Sequence, residues 1–221
     1  MSFLLAIEGA DGAGKATTAG EVVRLLREKG RTAEVIAFPR YTDTVGGHVL
    51  GDFLAGRLPH AMSPRALATL YALDRFESRE LVLETAARCD VVVFDRYIAS
   101  NMAYQAAKVA SSEAEELMRW IVSIETAQFA MPAPDLSIYL DTPLDVARAQ
   151  IARKQQRSYT EQTYDAHEAD DGLQMRVRAA YATLVESDLL GAWQRVTTGR
   201  DGTMRAPGEI AAEIVAALGS N

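Results

Sequence analysis

The stretch Gly9-Ala10-Asp11-Gly12-Ala13-Gly14-Lys15 puts three glycines, an acid and a lysine within seven positions. Glycines let a backbone wrap tightly, so that successive N–H groups converge on an anion, and a lysine closing such a wrap can neutralise the terminal phosphates of a nucleotide. The chemistry requires a strand before the loop and a helix after it, because the helix N-terminus supplies partial positive charge. Phe3 to Ile7 is a short apolar run ending at Glu8-Gly9, as a buried strand would. Val22, Val23, Leu25 and Leu26 recur on one face of a predicted helix from Lys15 to Lys29, with Gly30 as its stop. A plain glycine turn joining strand to helix is the simpler reading, and the order and context of all seven residues favour the phosphate loop. Gly9, Gly12, Ala13, Gly14, Lys15, Ala16 and Thr17 are therefore the candidate phosphate-contacting residues, within a loop spanning 9–17.

The full form of this motif has Ser or Thr directly after the lysine, and here that position is Ala16. A methyl group cannot ligate magnesium. Thr17 lies roughly 100° further around the helix and does not simply replace the missing hydroxyl. The cradle depends on backbone and lysine and is unaffected; the usual metal inference loses its support.

Further cations follow two other predicted strands. Thr32 to Phe38 is halted by Pro39 and followed by Arg40-Tyr41, and Asp90 to Asp95 is followed by Arg96-Tyr97. In an open α/β sheet the ligand lies at the carboxyl ends of the strands, so both ends aim an arginine and an aromatic ring at the cleft beside the glycine loop. Tyr71 and Arg75 add another such pair, spaced i, i+4 on one helix face. Surface salt bridges are the plainer reading for Arg40 and Arg96, and a core aromatic for Tyr71.

Leu136 to Leu140 and Trp193 to Thr197 read as two more strands. Helical stretches are predicted over Ser63 to Arg88, Ser111 to Phe129 and Pro207 to Leu218. Strands alternating with helices imply right-handed crossovers and a parallel sheet of about five strands covered on both faces, an α/β fold. No repeat or linker divides the 221 residues, so one domain spanning 1–221 is expected. The segment 153–164 is polar and rich in Arg, Lys and Gln, and reads equally as a solvated loop or as a mobile lid.

Composition sets the outer bounds. A formal net charge of −7 gives no general attraction to nucleic acid or anionic lipid, so phosphate must be drawn by local cations. The single cysteine, Cys89, excludes an internal disulfide and fits a reducing cytoplasm. No apolar stretch reaches membrane-span length. No Asn-Lys-x-Asp guanine-reading element occurs, which counts against a GTPase.

Taken together, the chain resembles the thymidylate kinase family. The residues that carry the resemblance are Glu8-Gly9-x-Asp11-Gly12-x-Gly14-Lys15, Phe38-Pro39-Arg40, Leu73-Asp74-Arg75, Asp95-Arg96-Tyr97 with Ser100-Asn101-x-x-Tyr104-Gln105, Pro134-Asp135-Leu136 and Asp165-x-x-Glu168, in family order. The resemblance implies a P-loop kinase fold and transfer of the γ-phosphoryl group of ATP to dTMP, giving dTDP and ADP. By that resemblance Tyr71 stacks on the thymine ring, Arg75 and Asn101 bond the base, and Arg40 and Arg96 hold the acceptor phosphate. Tyr104 lies against the ribose C2′, where its bulk excludes a hydroxyl. Phe38 and Tyr41 flank the same acceptor site. Asp11 faces the 3′-hydroxyl and the transfer region, and Arg153 and Arg157 act as arginine fingers in the lid. Mg2+ is expected as cofactor, held through Asp11, ATP oxygens and water with Glu168 assisting, and family members are typically homodimers. A kinase for dUMP, UMP/CMP or deoxynucleosides, and a nucleotide-binding regulator without turnover, are the alternatives. Retention of both acceptor arginines and both lid arginines argues against the regulator.

Overall fold

The structure is a computed structural model that describes residues 2–157, 170–187 and 189–218. Its centre is a five-stranded parallel sheet built from β1 (Phe3–Glu8), β2 (Ala33–Ala37), β3 (Val91–Asp95), β4 (Leu136–Asp141) and β5 (Ala192–Thr197), in the spatial order β2-β3-β1-β4-β5. β1 pairs with β3 on one side, from Phe3 opposite Val91 to Ile7 opposite Asp95, and with β4 on the other. The chain thus leaves β1 towards one edge and later returns to extend the other. The crevice at the carboxyl end of β1 is the reversal point where ligands bind in open sheets.

The strands are near-continuously apolar because both faces are covered. Leu5, Ile7, Val91 and Val93 pack with Val22, Val23 and Leu26 of α1 (Lys15–Glu28) and with Ile210 and Ile214 of α9 (Pro207–Leu218). Leu4, Ala6, Val92 and Phe94 point the other way, as the two-residue period of a strand requires. They meet α5 (Ile98–Ala106), α6 (Ser111–Val122) and α8 (Asp171–Val185) through Met102, Ile121 and Val177. Among the described residues, no helix is long and apolar enough to cross a membrane.

The predicted helical stretch Ser63 to Arg88 is two helices, α3 (Pro64–Glu77) and α4 (Arg79–Arg88). Ser63 caps the first, its Oγ accepting from Ala66 N at 3.2 Å, and Ser78 interrupts the run by turning its hydroxyl onto Asp74 O at 2.8 Å. The stretch from Ser111 likewise divides, α6 passing at Val122 into a π-helical turn over Ser123–Gln128. Helices α5 and α8 lie outside the predicted helical stretches, and so does α2 (Val45–Leu54), where glycines occupy three positions. Two of them are required by close approach. A Cβ on Gly47 would lie 2.1 Å from Arg40 O, and one on Gly46 would lie 2.6 Å from Asp74 N. The remaining elements are α7 (Leu144–Arg157) and the small hairpin β6 (Gly199–Arg200) with β7 (Thr203–Met204). Residues 153–157, expected to open a lid loop, are the last turn of α7; 158–164 fall outside the described residues.

Candidate functional site

The glycine loop joins β1 to α1 as its sequence demands. Gly12 and Gly14 have φ of 77° and 79°, a left-handed backbone that side chains disfavour, and a Cβ on Gly12 would sit 2.4 Å from Ala147 O in α7. Gly14 caps α1 without any side-chain acceptor, and no acid occupies the first helical turn. The N-terminal amides of α1 are therefore not claimed by a capping side chain, which suits an incoming anion. Lys15 curls back so that Nζ donates to Ala10 O at 2.7 Å, with only 6% of the residue exposed. Burial, and next the positive charge of Arg96, push the Lys15 pKa down to about 8, against the pull of Asp11, Asp95 and Glu8. Ala13 is buried in the sheet–helix core, whereas Ala16 and Thr17 face outward. The β6–β7 hairpin leans over this corner: Met204 Cε lies 3.6 Å from where a Gly14 Cβ would be.

Asp11 is the centre of a second constellation. Its carboxylate is ion-paired with Arg96 Nη2 and accepts from Gln174 Nε2 at 2.9 Å, while its own N–H donates to Gln174 Oε1 at 3.1 Å. Burial alone would raise its pKa, but Arg96 and Lys15 outweigh that and hold the carboxyl well below the usual range. Arg96 occupies a left-handed φ of 65°, a strained conformation for a residue with a Cβ, and its N–H donates to Ile7 O at 3.1 Å. The strain turns its side chain off the end of β3, and the guanidinium lies 5.4 Å from the ring centroid of Tyr104. Beneath them Glu8 is fully buried. It accepts from Tyr97 N at 2.8 Å, Ser100 Oγ at 2.6 Å and Tyr181 OH at 2.9 Å, and burial raises its pKa. This carboxyl ties the ends of β1 and β3 to α5 and α8.

On the expected acceptor side, Arg40 N donates to both Asp74 oxygens at 3.2 Å and its Nη1 to Ser78 Oγ at 3.2 Å, with Asp43 at 3.6 Å. Asp74 is wholly buried and also accepts from Thr44 Oγ1, so α3 holds the Arg40 turn in place. Phe38 is buried against Phe94 and Tyr97 and lies 5.9 Å from the Arg75 guanidinium, as a core ring beneath the site. Arg75 and Asn101 meet on one buried carboxylate, Glu125. Tyr71 is half-buried on α3 and Tyr41 is 41% exposed.

The structure brings Asp11, Lys15, Arg96 and Tyr104 together at the ends of β1 and β3, with Arg75 and Asn101 joined a step away. Arg153 is exposed on α7; the side chain of Arg157, and all of Glu168, lie outside what is described. Among the described residues, no group of three or more His, Cys, Asp or Glu could by itself hold a metal ion. Gln174, Tyr181 and Glu125 were not expected from sequence. Asp135, a residue of the family-like motif, is structural: its Oδ2 accepts from Leu4 N at 2.7 Å and fixes the start of β4 on β1.

A parallel sheet in this order, with a phosphate-cradling loop after β1 and arginines at neighbouring strand ends, defines a P-loop kinase fold. The thymidylate kinase family model matches residues 7–190, and the chain belongs to that family. It is 35% identical over 213 residues to a thymidylate kinase of Mycobacterium tuberculosis, covering 96% of this chain and 97% of that one. A thymidylate kinase of Leifsonia xyli subsp. xyli is 36% identical over 186 residues, covering 82% and 81%. The solved structure of thymidylate kinase from Candida albicans superposes with a TM-score of 0.73 over 100% of this chain and 92% of that one; at 19% identity it speaks for the fold.

Proposed function

We propose that this chain transfers the γ-phosphoryl group of ATP to dTMP, forming dTDP and ADP. The observation that carries the reading is the meeting of the Lys15 loop with the Asp11–Arg96 pair at the reversal point of the sheet, within a chain of the thymidylate kinase family. An oxygen of the dTMP phosphate bonds to the γ-phosphorus as the bridge to the β-phosphate breaks, and the electron pair leaves with ADP. The attacking oxygen is already ionised, so no general base is assigned, and the work is positioning and charge neutralisation.

Loop amides and Lys15 receive the donor phosphates, Arg40 and Arg96 the acceptor phosphate, and Arg153 and Arg157 the group in flight. Tyr71, Arg75 and Asn101 receive the base, Tyr104 excludes a 2′-hydroxyl, and Phe38 and Tyr41 shape the surroundings. Of the residues proposed for magnesium, Asp11 fits as a single carboxylate beside the loop, although Arg96 and Gln174 already occupy it. Ala16 offers no ligand. Magnesium tolerates one or two carboxylates with phosphates and waters as its remaining ligands. The ion would neutralise charge on the phosphates, with Glu168 assisting through water. The same reading includes a homodimer working in the cytoplasm. Incubation of purified protein with ATP, Mg2+ and dTMP is expected to give dTDP and ADP. If another monophosphate turns over while dTMP neither reacts nor raises the melting temperature, the substrate is wrong.

A further inference from the structure

The stripe by which α6 enters the core runs Leu117, Met118, Ile121, and four residues on it reaches Glu125. An apolar side chain belongs at that position, yet Glu125 is fully buried. It sits on the π-helical turn, a rare backbone form enriched at functional sites, which is pinned by Thr126 Oγ1 donating to Val122 O at 2.7 Å and Met131 N donating to Glu125 O at 2.9 Å. A buried carboxylate persists only if its oxygens are satisfied. Oε2 accepts from Arg75 Nε; Oε1 accepts from both Arg75 Nη2 and Asn101 Nδ2, the latter at 2.9 Å.

The consequence falls on Asn101. Its Nδ2 also donates to Ala68 O at 3.0 Å, so both amide hydrogens are spent on acceptors. Turning the amide over would set its oxygen against a carbonyl and a carboxylate, so its orientation is forced. What Asn101 has left to offer is Oδ1, met among the described residues only by Gln105 Nε2 at 3.5 Å, the limit of a hydrogen bond. An oxygen acceptor pairs with the N3–H of thymine or uracil; the bare N3 of cytosine would place lone pair against lone pair. A buried mismatch of that kind discriminates far more strongly than lost apolar contact.

Resting on the reading of the acceptor site given above, we propose that Glu125 is a positioning residue for base selection. It fixes Asn101 with its oxygen towards the base and holds Arg75 by two N–H groups, so that the site admits pyrimidines carrying N3–H and rejects cytosine. Glu125 touches no substrate; it acts through the two side chains that do. At position 125 a glutamine, with one oxygen and one NH2, cannot accept from all three donors, and Asn101 becomes free to rotate.

The test is the ratio of kcat/KM for dUMP over dCMP, two substrates that differ at the N3–C4 edge. A general loss of stability lowers both values and leaves their ratio alone. The unmodified chain is expected to favour dUMP by about 100-fold or more. Glu125→Gln should narrow the ratio by at least about tenfold, equivalent to about 1.4 kcal/mol, through a gain on dCMP. Because the substitution strips a buried arginine of its counter-charge, it can fail to fold. Glu125→Asp then serves, since it keeps the charge for Arg75 but withdraws the oxygens from Asn101 by one methylene, and the same narrowing is expected. A folded variant with the parental ratio overturns the proposal. In the unmodified chain, dTMP labelled with 15N at N3 should show an imino proton protected from exchange when bound, and an unprotected one also overturns it. A chain that turns over neither dUMP nor dTMP faults the functional reading, whereas a preserved ratio in active variants faults only the role of Glu125.

Discussion

Lys15 is held where a charge is costly, and replacing it by methionine should stabilise the unliganded protein while abolishing turnover. The lysine is 6% exposed, and its pKa is displaced from 10.5 to about 8. At about 1.36 kcal/mol per pH unit, keeping it charged in the fold costs about 3 kcal/mol. Methionine has nearly the same length and no charge, though it gives up the 2.7 Å bond to Ala10 O, worth about 1 kcal/mol. Asp11 keeps Arg96 and Gln174 as partners. The net gain is about 2 kcal/mol at pH 7, or about 4–8 °C in Tm for a chain of this size.

The sign is fixed by linkage. Between pH 8 and 10.5 the unfolded chain keeps a proton on Lys15 that the folded chain has released, so the stability of the parent rises with pH across that window. Below 8 both states are protonated and the full cost is present. The Tm advantage of Lys15→Met should therefore be greatest at pH 7 and shrink towards pH 10, and other titrating groups cancel in the difference. Saturating ATP should stabilise the parent much more than the variant. Thermal melts of both proteins at pH 7, 8, 9 and 10, without nucleotide, make the measurement. A variant that melts at or below the parent at pH 7, or a gap independent of pH, would refute the reasoning.

Three further outcomes follow from the assigned roles. Arg153→Ala and Arg157→Ala should each lower kcat by on the order of 10³ with little change in nucleotide affinity, since arginine fingers act in the transition state; single-turnover rates beside equilibrium binding separate the two. Tyr104→Ala should narrow the kcat/KM preference for dTMP over its ribonucleotide analogue, and an unchanged ratio removes Tyr104 from sugar discrimination. Asp11→Asn should raise the magnesium concentration for half-maximal activity, whereas Ala16→Thr should lower it or leave it alone, as magnesium titrations at fixed ATP will show.

What was legible in the sequence was whatever short-range pattern determines. The apolar runs at Phe3, Val91 and Leu136 became β1, β3 and β4 because a strand buried on both faces has no polar alternation to hide it. The glycine loop was legible because its geometry needs particular residue types at fixed offsets. Less legible were breaks decided by one side chain, such as Ser78 between α3 and α4, and helices whose composition follows packing, such as glycine-bearing α2. Least legible were partners decided across the fold. Gln174 lies 163 residues from Asp11, and Glu125 lies 50 from Arg75 on a helix where an acid reads as surface.

The partners of its cations, near and distant in sequence, explain how an acidic chain keeps four of them ready without attracting anions at large. Each has a partner from its own fold, and the partners differ in strength in a graded way. Lys15 is bonded to a neutral carbonyl, and Arg40 to a hydroxyl and a carboxylate 3.6 Å away that is 53% exposed, a pair worth little in water. Phosphate oxygens can outcompete both. Arg96 is held more firmly, by a carboxylate that is 5% exposed, yet its own side chain is 23% exposed and can meet a second anion without leaving the first. Arg75 and Glu125 are both shielded, and separating them would strand two charges in the core. Of the cations proposed for phosphate, Lys15 and Arg40 can thus exchange partners and Arg96 can add one, whereas the one proposed for the base can do neither. Neutralising a moving charge asks for donors that can change partners, whereas reading a base asks for donors that cannot, and the fold assigns its carboxylates accordingly.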